Sequence, residues 1–288
     1  MRISIIIPIY NGEKYLKNLI KSLRAQSSVM EVEIIAAVSR SKDNSLSLAK
    51  ELCDVVFEVN NFNHGRTRHE AALLSKGEYL VFITQDILPF DETWLTNLIE
   101  PLTKNNTIVA TYSRQTAYPN ATSTESYIRE FNYPKNDRLC NDSTIKKWGR
   151  KNIFYSDASS ATKRDVFFQL GGYNFDVITN EDVTYALNVI ESGKSILYNS
   201  KSVVYHSHNF SLKENIARYK LIGKYEKLFQ DRLSQYSSSG EGIKLLKFVA
   251  TKLFKEIKFK ELFIFLFLDI PSRLIAYKVG YNQKLEQE

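Results

Sequence analysis

Five consecutive apolar residues, Tyr79 to Ile83, run directly into the polar triplet Thr84-Gln85-Asp86, and this junction constrains the fold more than any other stretch. A β-rich run of that length reads as a strand buried on both faces, which demands a largely parallel sheet with helices above and below it. It also puts Asp86 beyond the carboxyl end of a core strand, where open α/β sheets bind their ligands. Pro89 then stops the strand, and Asp91 is placed to cap a helix carrying Trp94, Leu95, Leu98, Ile99 and Leu102 at helical spacing. By itself Asp86 reads as a solvated turn aspartate. The rest of the chain changes that balance.

Arg2 to Pro8, Glu33 to Val38 and Asp54 to Val59 read as strands, separated by helical patterns over Lys14 to Ala25 and Leu46 to Leu52. Alternation at this interval predicts a doubly wound, mostly parallel sheet. Next, the stretch from Asn61 to Glu70 opens an Ala- and Leu-rich helix with two arginines and two histidines. Guanidinium groups at a helix start favour an anion, so His64, Gly65, Arg66 and Arg68 are phosphate-site candidates; the other reading is a solvated basic helix end. Ile108 to Tyr112 is a further strand. From Ser113 to Lys151 the sequence turns polar and aperiodic, which predicts a long functional loop over the site.

Order returns at Ile153 to Ala161 and in a helix over Arg164 to Leu170, followed by the turn Gly171-Gly172-Tyr173. Asn180 suits the N-cap of an apolar helix whose first turn carries Glu181 and Asp182. The helix dipole alone stabilises acidic residues there, yet their place after a glycine turn makes them candidates for a functional pair. Two short strands follow, Ser195 to Tyr198 and Val203 to Tyr205, the second ending in His206-Ser207-His208. Those two imidazoles share a side and suit a metal. Ser211 with Glu214 forms a capping box for a helix to about Ser234, and Tyr236 to Gly242 reads as a linker.

Two distant cysteines, Cys53 and Cys140, lack the neighbours of a metal or redox motif and fit a reducing cytoplasm. The short apolar start, cut by Pro8, reads as a strand rather than a signal segment. Of the net charge of +7, all but one unit falls beyond Leu212. A tail charged in this way suggests an anionic surface as partner; nucleic acid has no motif behind it, and a membrane has more. Lys244, Lys247, Lys255 and Lys258 fall on one helical face, with Leu246, Val249, Leu253 and Ile257 on another, and an apolar run from Leu262 to Leu268 is closed by Asp269 and Pro271. That run is far short of the roughly 20 residues that cross a bilayer, so the pattern predicts an amphipathic element lying on the inner face of the cell membrane, unless both segments simply pack on the rest of the protein.

Taken together, these pieces resemble family 2 glycosyltransferases with the GT-A fold, and specifically their rhamnosyltransferase-like branch. The resemblance rests on Pro8-Ile9-Tyr10-Asn11, the stretch Phe62 to Arg68, Thr84-Gln85-Asp86, Gly171-Gly172-Tyr173, Glu181-Asp182 and His206-Ser207-His208, in that order. It implies an α/β GT-A architecture: a mostly parallel Rossmann-like sheet flanked by helices, with a helical C-terminal appendage. Residues 1–235 would form the transferase domain, with a donor-binding half at 1–112 and an acceptor half at 113–235, and residues 243–288 the amphipathic appendage. A nucleotide-sugar donor would be bound by Pro8, Tyr10, Asn11, His64, Gly65, Arg66, Arg68 and Gln85. Mg²⁺ or Mn²⁺ would be held by Asp86 with His206 or His208, and Asp182 would be the general base, with Glu181 the next candidate. Val38 stands where the family commonly has an aspartate that contacts the nucleobase, so base recognition is expected to differ.

The implied activity is inverting, metal-dependent sugar transfer to a glycan or lipid-linked glycan in cell-surface polysaccharide synthesis. The branch favours dTDP-L-rhamnose as donor. A UDP-hexose transferase of the same fold, and a non-catalytic nucleotide-sugar-binding subunit, are the alternatives.

Overall fold

A computed structural model of the chain describes residues 1–27, 30–173, 179–237 and 240–283. Its first half alternates strictly: β1 (Arg2–Ile9), α1 (Glu13–Arg24), β2 (Glu31–Ser39), α2 (Ser45–Leu52), β3 (Val55–Val59), α3 (His64–Leu73), β4 (Tyr79–Ile83). Strands β3, β2, β1 and β4 lie side by side and pair in parallel. Parallel pairing needs a crossover between strands, and the amphipathic α1, with Leu16, Leu19, Ile20 and Leu23 inward, supplies the first. In β1, Ile3, Ile5 and Ile7 enter one apolar core and Ile6 the other, so both faces of the sheet are covered. Each such fully buried side chain contributes roughly 1.5–3 kcal/mol.

The second half departs from that alternation. A two-residue strand β5 (Leu88–Pro89) and helix α4 (Trp94–Lys104) lead to β6 (Ile108–Thr116), α5 (Ser123–Asn132), β7 (Arg138–Cys140), a short α6 (Ile145–Trp148), β8 (Ser159–Lys163) and α7 (Arg164–Gln169). Then come α8 (Glu181–Glu191), β9 (Ser195–Tyr205), α9 (Leu212–Leu228), α10 (Gln230–Leu233), α11 (Glu241–Lys255), α12 (Phe259–Ile264) and α13 (Ile270–Asn282). Strand β8 inserts antiparallel between β4 and β6, and β9 runs parallel to β6. Residues before and after Ser113 thus share one sheet, and six of its nine described strands point the same way.

Several local expectations need correction. The stretch from Ser113 to Lys151 is not a loop: it holds the end of β6, then α5, β7 and α6. The signal for α5 is in the sequence, because Thr122 accepts from the backbone N–H of Glu125 at 3.2 Å, the Thr-x-x-Glu start of a helix. Asp91 does not cap α4; its carboxylate accepts from Thr93 N and Oγ1 in a tight turn ahead of the helix. Asn180 occupies the N-cap of α8 but with a left-handed backbone and no side-chain cap. The two strands expected around Lys201 are one strand, β9, whose register against β6 shifts after Asn199. The capping box of Ser211 and Glu214 is present. Of the expected linker, Ser238 and Ser239 lie outside the described residues, and Tyr236 before them is buried.

The C-terminal helices also differ from their expected arrangement. Leu246 packs against, and Val249 and Leu253 lie within, a third apolar cluster with Tyr127 and Phe265, so that face of α11 covers α5. Ile257 lies past the end of α11, exposed and with positive φ. Asp269 and Pro271 close the apolar run but not the helical structure: Asp269 pairs with Arg273, and Pro271 sits in the first turn of α13, where its missing N–H costs nothing. α13 crosses α9 where Gly223 faces Gly280; a Cβ on either would overlap the facing helix's backbone carbonyl, of Tyr277 or Lys220 respectively. No described helix is long and apolar enough to cross a membrane.

Candidate active site

The carboxyl ends of β1, β4, β6 and β9 lie along one edge of the sheet, and because β8 is antiparallel its amino end joins them. Ile83 pairs with Ser159 in this register. After Asp86 the chain crosses to β9, where Leu88 pairs with Tyr205, and this brings Asp86 beside the two histidines that follow β9. The carboxylate lies 3.7 Å from His206 Nε2 and 3.5 Å from His208 Nδ1. One ligand atom from each of the three lies within 4.8 Å of the others.

The protonation of His206 can be assigned from its neighbours. His206 Nδ1 lies 2.8 Å from Gln115 Oε1, which also accepts from Arg129 Nη1, and 3.3 Å from Arg129 Nη1, which can only donate; the shorter contact to the amide oxygen favours Nδ1 as donor, leaving the lone pair on Nε2. Nε2 is buried and has no hydrogen-bond partner. Burial first, then the charges of Arg129, His208 and Arg218, pushes the His206 pKa well below the usual histidine range. His208 is lowered chiefly by burial, with Asp86 opposing. Two neutral imidazoles and a carboxylate, with an orphaned nitrogen aimed among them, fit a divalent cation. Gln115, absent from the sequence-based candidates, is the partner that fixes the tautomer.

A second cluster surrounds the amino terminus of α8. Arg68, almost fully buried, lies 3.1 Å from Asp157 and 3.4 Å from Glu181, and donates to the His64 carbonyl at 3.0 Å. It is therefore the counter-ion of two buried carboxylates and is not presented to a ligand as expected. Asp157 was not singled out from the sequence; nothing in Ser156-Asp157-Ala158 marks it until β8 is placed beside β4. Asp182 accepts from Val183 N at 2.8 Å. Its pKa is raised well above the usual range, first by burial and then by Asp157 and Glu181, and Asp157 is pushed up to about 7, with Arg68 opposing its burial.

The cluster titrates as a unit, so its acidity belongs to the group. With Asp182 as the expected base, which acts only when ionised, activity should fall as pH drops through a range well above the ~4 of a free carboxyl. Asp157→Asn removes a like charge, which lowers the pKa of Asp182 and should move the acid limb of the pH–rate profile to lower pH. An unmoved limb would detach Asp157 from the base.

The other candidates line the mouth beside β1. Gln85 does not reach outward: its amide oxygen accepts from Tyr10 N and its nitrogen donates to Tyr10 O, both at 2.9 Å, fixing the first loop. Asn11, with positive φ, accepts from Lys42 N and donates its own N–H to Ser41 Oγ. The loop after β2 is thus anchored although Val38 is buried in the core. Tyr10 is exposed, and Pro8 is half-buried within β1. His64 sits at the start of α3 edge-on to Phe62, and Arg66 is exposed on the same turn. Gly65 allows that turn to lie against Tyr173, whose carbonyl is 2.8 Å from where a Cβ would stand.

Two adjoining cavities open from this edge. One, of about 240 Å³, is lined by Asp182, Tyr155, Arg129, Phe210, Arg218 and Arg273 among others. The other, of about 380 Å³, runs from His208 past Phe210 to Phe265 and Leu268 on the C-terminal helices.

Residues 4–171 match the family model described as glycosyl transferase family 2. The chain is 32% identical over 227 residues to the O-antigen chain rhamnosyltransferase RfbN of Salmonella typhimurium, covering 76% of this chain and 70% of that protein. It is 29% identical over 220 residues to the O-antigen chain rhamnosyltransferase WbaN of Salmonella anatum, covering 75% and 69%. Among solved structures, a mannosyltransferase from Pyrobaculum calidifontis in complex with GDP-Man and Mn²⁺ superposes with a TM-score of 0.61 at 16% identity, over 98% of this chain and 76% of that one. Residues 1–349 of Staphylococcus aureus TarS give 0.57 at 16% identity, over 98% and 81%. At those identities the structures speak for the GT-A fold alone.

Proposed function

The chain belongs to glycosyl transferase family 2 and is a glycosyltransferase; from that premise we propose that it transfers L-rhamnose from dTDP-L-rhamnose, with inversion, to a glycan or lipid-linked glycan acceptor. The observation that carries the reading is the pairing of two sites on one sheet edge, the Asp86, His206 and His208 triad and the buried carboxylates around Asp182. The rhamnosyl preference draws on the two O-antigen chain relatives. A UDP-hexose is the second choice of donor. In this reading residues 1–112 chiefly bind donor and residues 113–235 chiefly serve the acceptor.

Asp86, His206 and His208 would hold the divalent ion, and the two imidazoles favour Mn²⁺ over Mg²⁺, which prefers oxygen ligands. Such an ion supplies charge neutralisation for a departing diphosphate. The residues of this chain do the rest. Asp182 takes the proton of the acceptor hydroxyl as its oxygen bonds to the anomeric carbon, and the bond to the diphosphate breaks on the opposite face. Arg68 keeps Glu181 and Asp157 folded beside the base, and their charge makes Asp182 a stronger proton acceptor. Gln85 and Asn11 hold the loops that flank the donor.

The deciding experiment measures release of nucleoside diphosphate from a panel of nucleotide sugars, with Mn²⁺, with Mg²⁺ and with chelator. Selective turnover of dTDP-L-rhamnose with the metal supports the reading; turnover only of UDP-hexoses moves the donor, and release from none of them refutes it.

We further propose that the C-terminal helices rest on an anionic membrane. The apolar face expected of α11 is spent on α5, but Phe254, Phe259, Phe263, Phe267 and Ile275 remain exposed, and Lys255, Lys258 and Lys260 lie among them in sequence. Aromatic side chains beside lysines match the apolar boundary and anionic headgroups of a bilayer surface. The double variant Phe263→Ser/Phe267→Ser should lose most of its co-sedimentation with phosphatidylglycerol vesicles without a change in melting temperature. Wild-type protein that fails to bind these vesicles at low salt would leave the helices a purely structural element.

A further inference from the structure

Among the residues that line the cavity containing Asp182, three are arginines, and two of them are already neutralised. Arg129 pairs with Glu125 at 2.7 Å and Arg273 with Asp269 at 2.7 Å. Arg218 has no carboxylate partner among the described residues. It is exposed on α9, with its guanidinium 5.4 Å from the centre of the Phe210 ring. Phe210 in turn stacks on His208 at 4.7 Å, and His208 meets His206 edge-on at 4.6 Å. A short ladder of rings therefore connects Arg218 to the candidate metal ligands, and the capping box of Ser211 fixes the start of α9 about two turns earlier.

We propose that Arg218 binds the diphosphate of the donor and stabilises it as it leaves. The inference rests on the transferase reading above. A bound nucleotide sugar carries two negative charges on its diphosphate, and Asp86 adds a third. A divalent ion offsets two. When the bond to the anomeric carbon breaks, its electron pair goes to the diphosphate oxygen while the proton of the acceptor goes to Asp182, so the leaving group gains a further negative charge. That charge needs a cation that is not already paired, and Arg218 supplies it. Stacking on Phe210 holds a guanidinium in place without neutralising it.

Direction also favours the donor over an anionic group on the acceptor. Arg218 sits over the ring of Phe210, which stacks on His208, and His208 meets His206 edge-on, so the guanidinium is held beside the candidate metal ligands.

The test uses the full chain and titrates it calorimetrically with dTDP, UDP and inorganic pyrophosphate in the presence of Mn²⁺. Arg218→Ala should weaken diphosphate binding about 10–100-fold, the range expected for lost hydrogen bonds to a charged group. Arg218→Lys should recover part of the loss, since a point charge remains without the fork. Binding of Mn²⁺ alone and the melting temperature should match wild type in both variants. In turnover the loss should appear in kcat, and in KM for donor, with KM for acceptor unmoved. Equal diphosphate affinity in wild type and Arg218→Ala, or a defect confined to KM for acceptor, would overturn the assignment and give the cation to the acceptor. Wild-type protein that binds none of the three probes would instead refute the transferase reading itself.

Discussion

Asp182→Asn is expected to lower turnover by about 10²–10⁴-fold, the usual contribution of a positioned general base. The substitution keeps the shape of the side chain and the oxygen that accepts from Val183 N, so α8 should start as before. Donor binding should be unchanged, because the base meets the acceptor. Removing a raised, partly buried carboxylate from a cluster of three should also leave the fold no less stable, since it relieves like-charge repulsion with Asp157 and Glu181. Single-turnover kinetics with saturating donor, beside a thermal melt, separate these effects. Near-normal turnover would move the base, with Glu181 the next candidate despite its pairing with Arg68.

Asp86→Ala should be at least as damaging. The carboxylate faces His206 and His208, at 3.7 and 3.5 Å, while the backbone carbonyl of Asp86 accepts from Tyr118 and would survive the change. The loss is therefore local. Without its one anionic ligand the triad becomes two neutral imidazoles, and Mn²⁺-dependent donor binding should disappear. Charge neutralisation at a leaving diphosphate is worth several kcal/mol, which corresponds to a rate loss of at least about 10³-fold. Calorimetric titration with Mn²⁺ and circular dichroism of the same sample make the comparison. A folded variant with full activity would end the assignment of Asp86 to the metal.

What the sequence revealed and what it concealed divide along the way the strands are connected. Strands β1 to β4 are local βαβ units, and their alternation with helices follows from periodicity. Asp86 was legible for the same reason: the break from Ile83 to Thr84 is abrupt. The second half depends on pairings that periodicity does not encode. Nothing local says that β8 will enter antiparallel between β4 and β6, and only that insertion carries Asp157 to the reactive edge. Arg68 was misread for a related cause, because its helix start looks like an anion site until Asp157 and Glu181 arrive from far along the chain. The helix α5 was hidden by composition, its Tyr, Asn and charged residues masking a start signal at Thr122 that was present.

The crossing of α9 and α13 at Gly223 and Gly280 makes the C-terminal helices a gauge of height. Two helices this close cannot slide along each other without opening the contact, and Tyr225 of α9 hydrogen-bonds to Thr184 of α8, so Ile275, exposed on α13, holds its place relative to Asp182. On a membrane, an acceptor hydroxyl would have to present itself at that one elevation. Acceptors would then be sorted by the length of whatever joins the receiving sugar to its anchor, before any hydrogen bond has read the sugar itself.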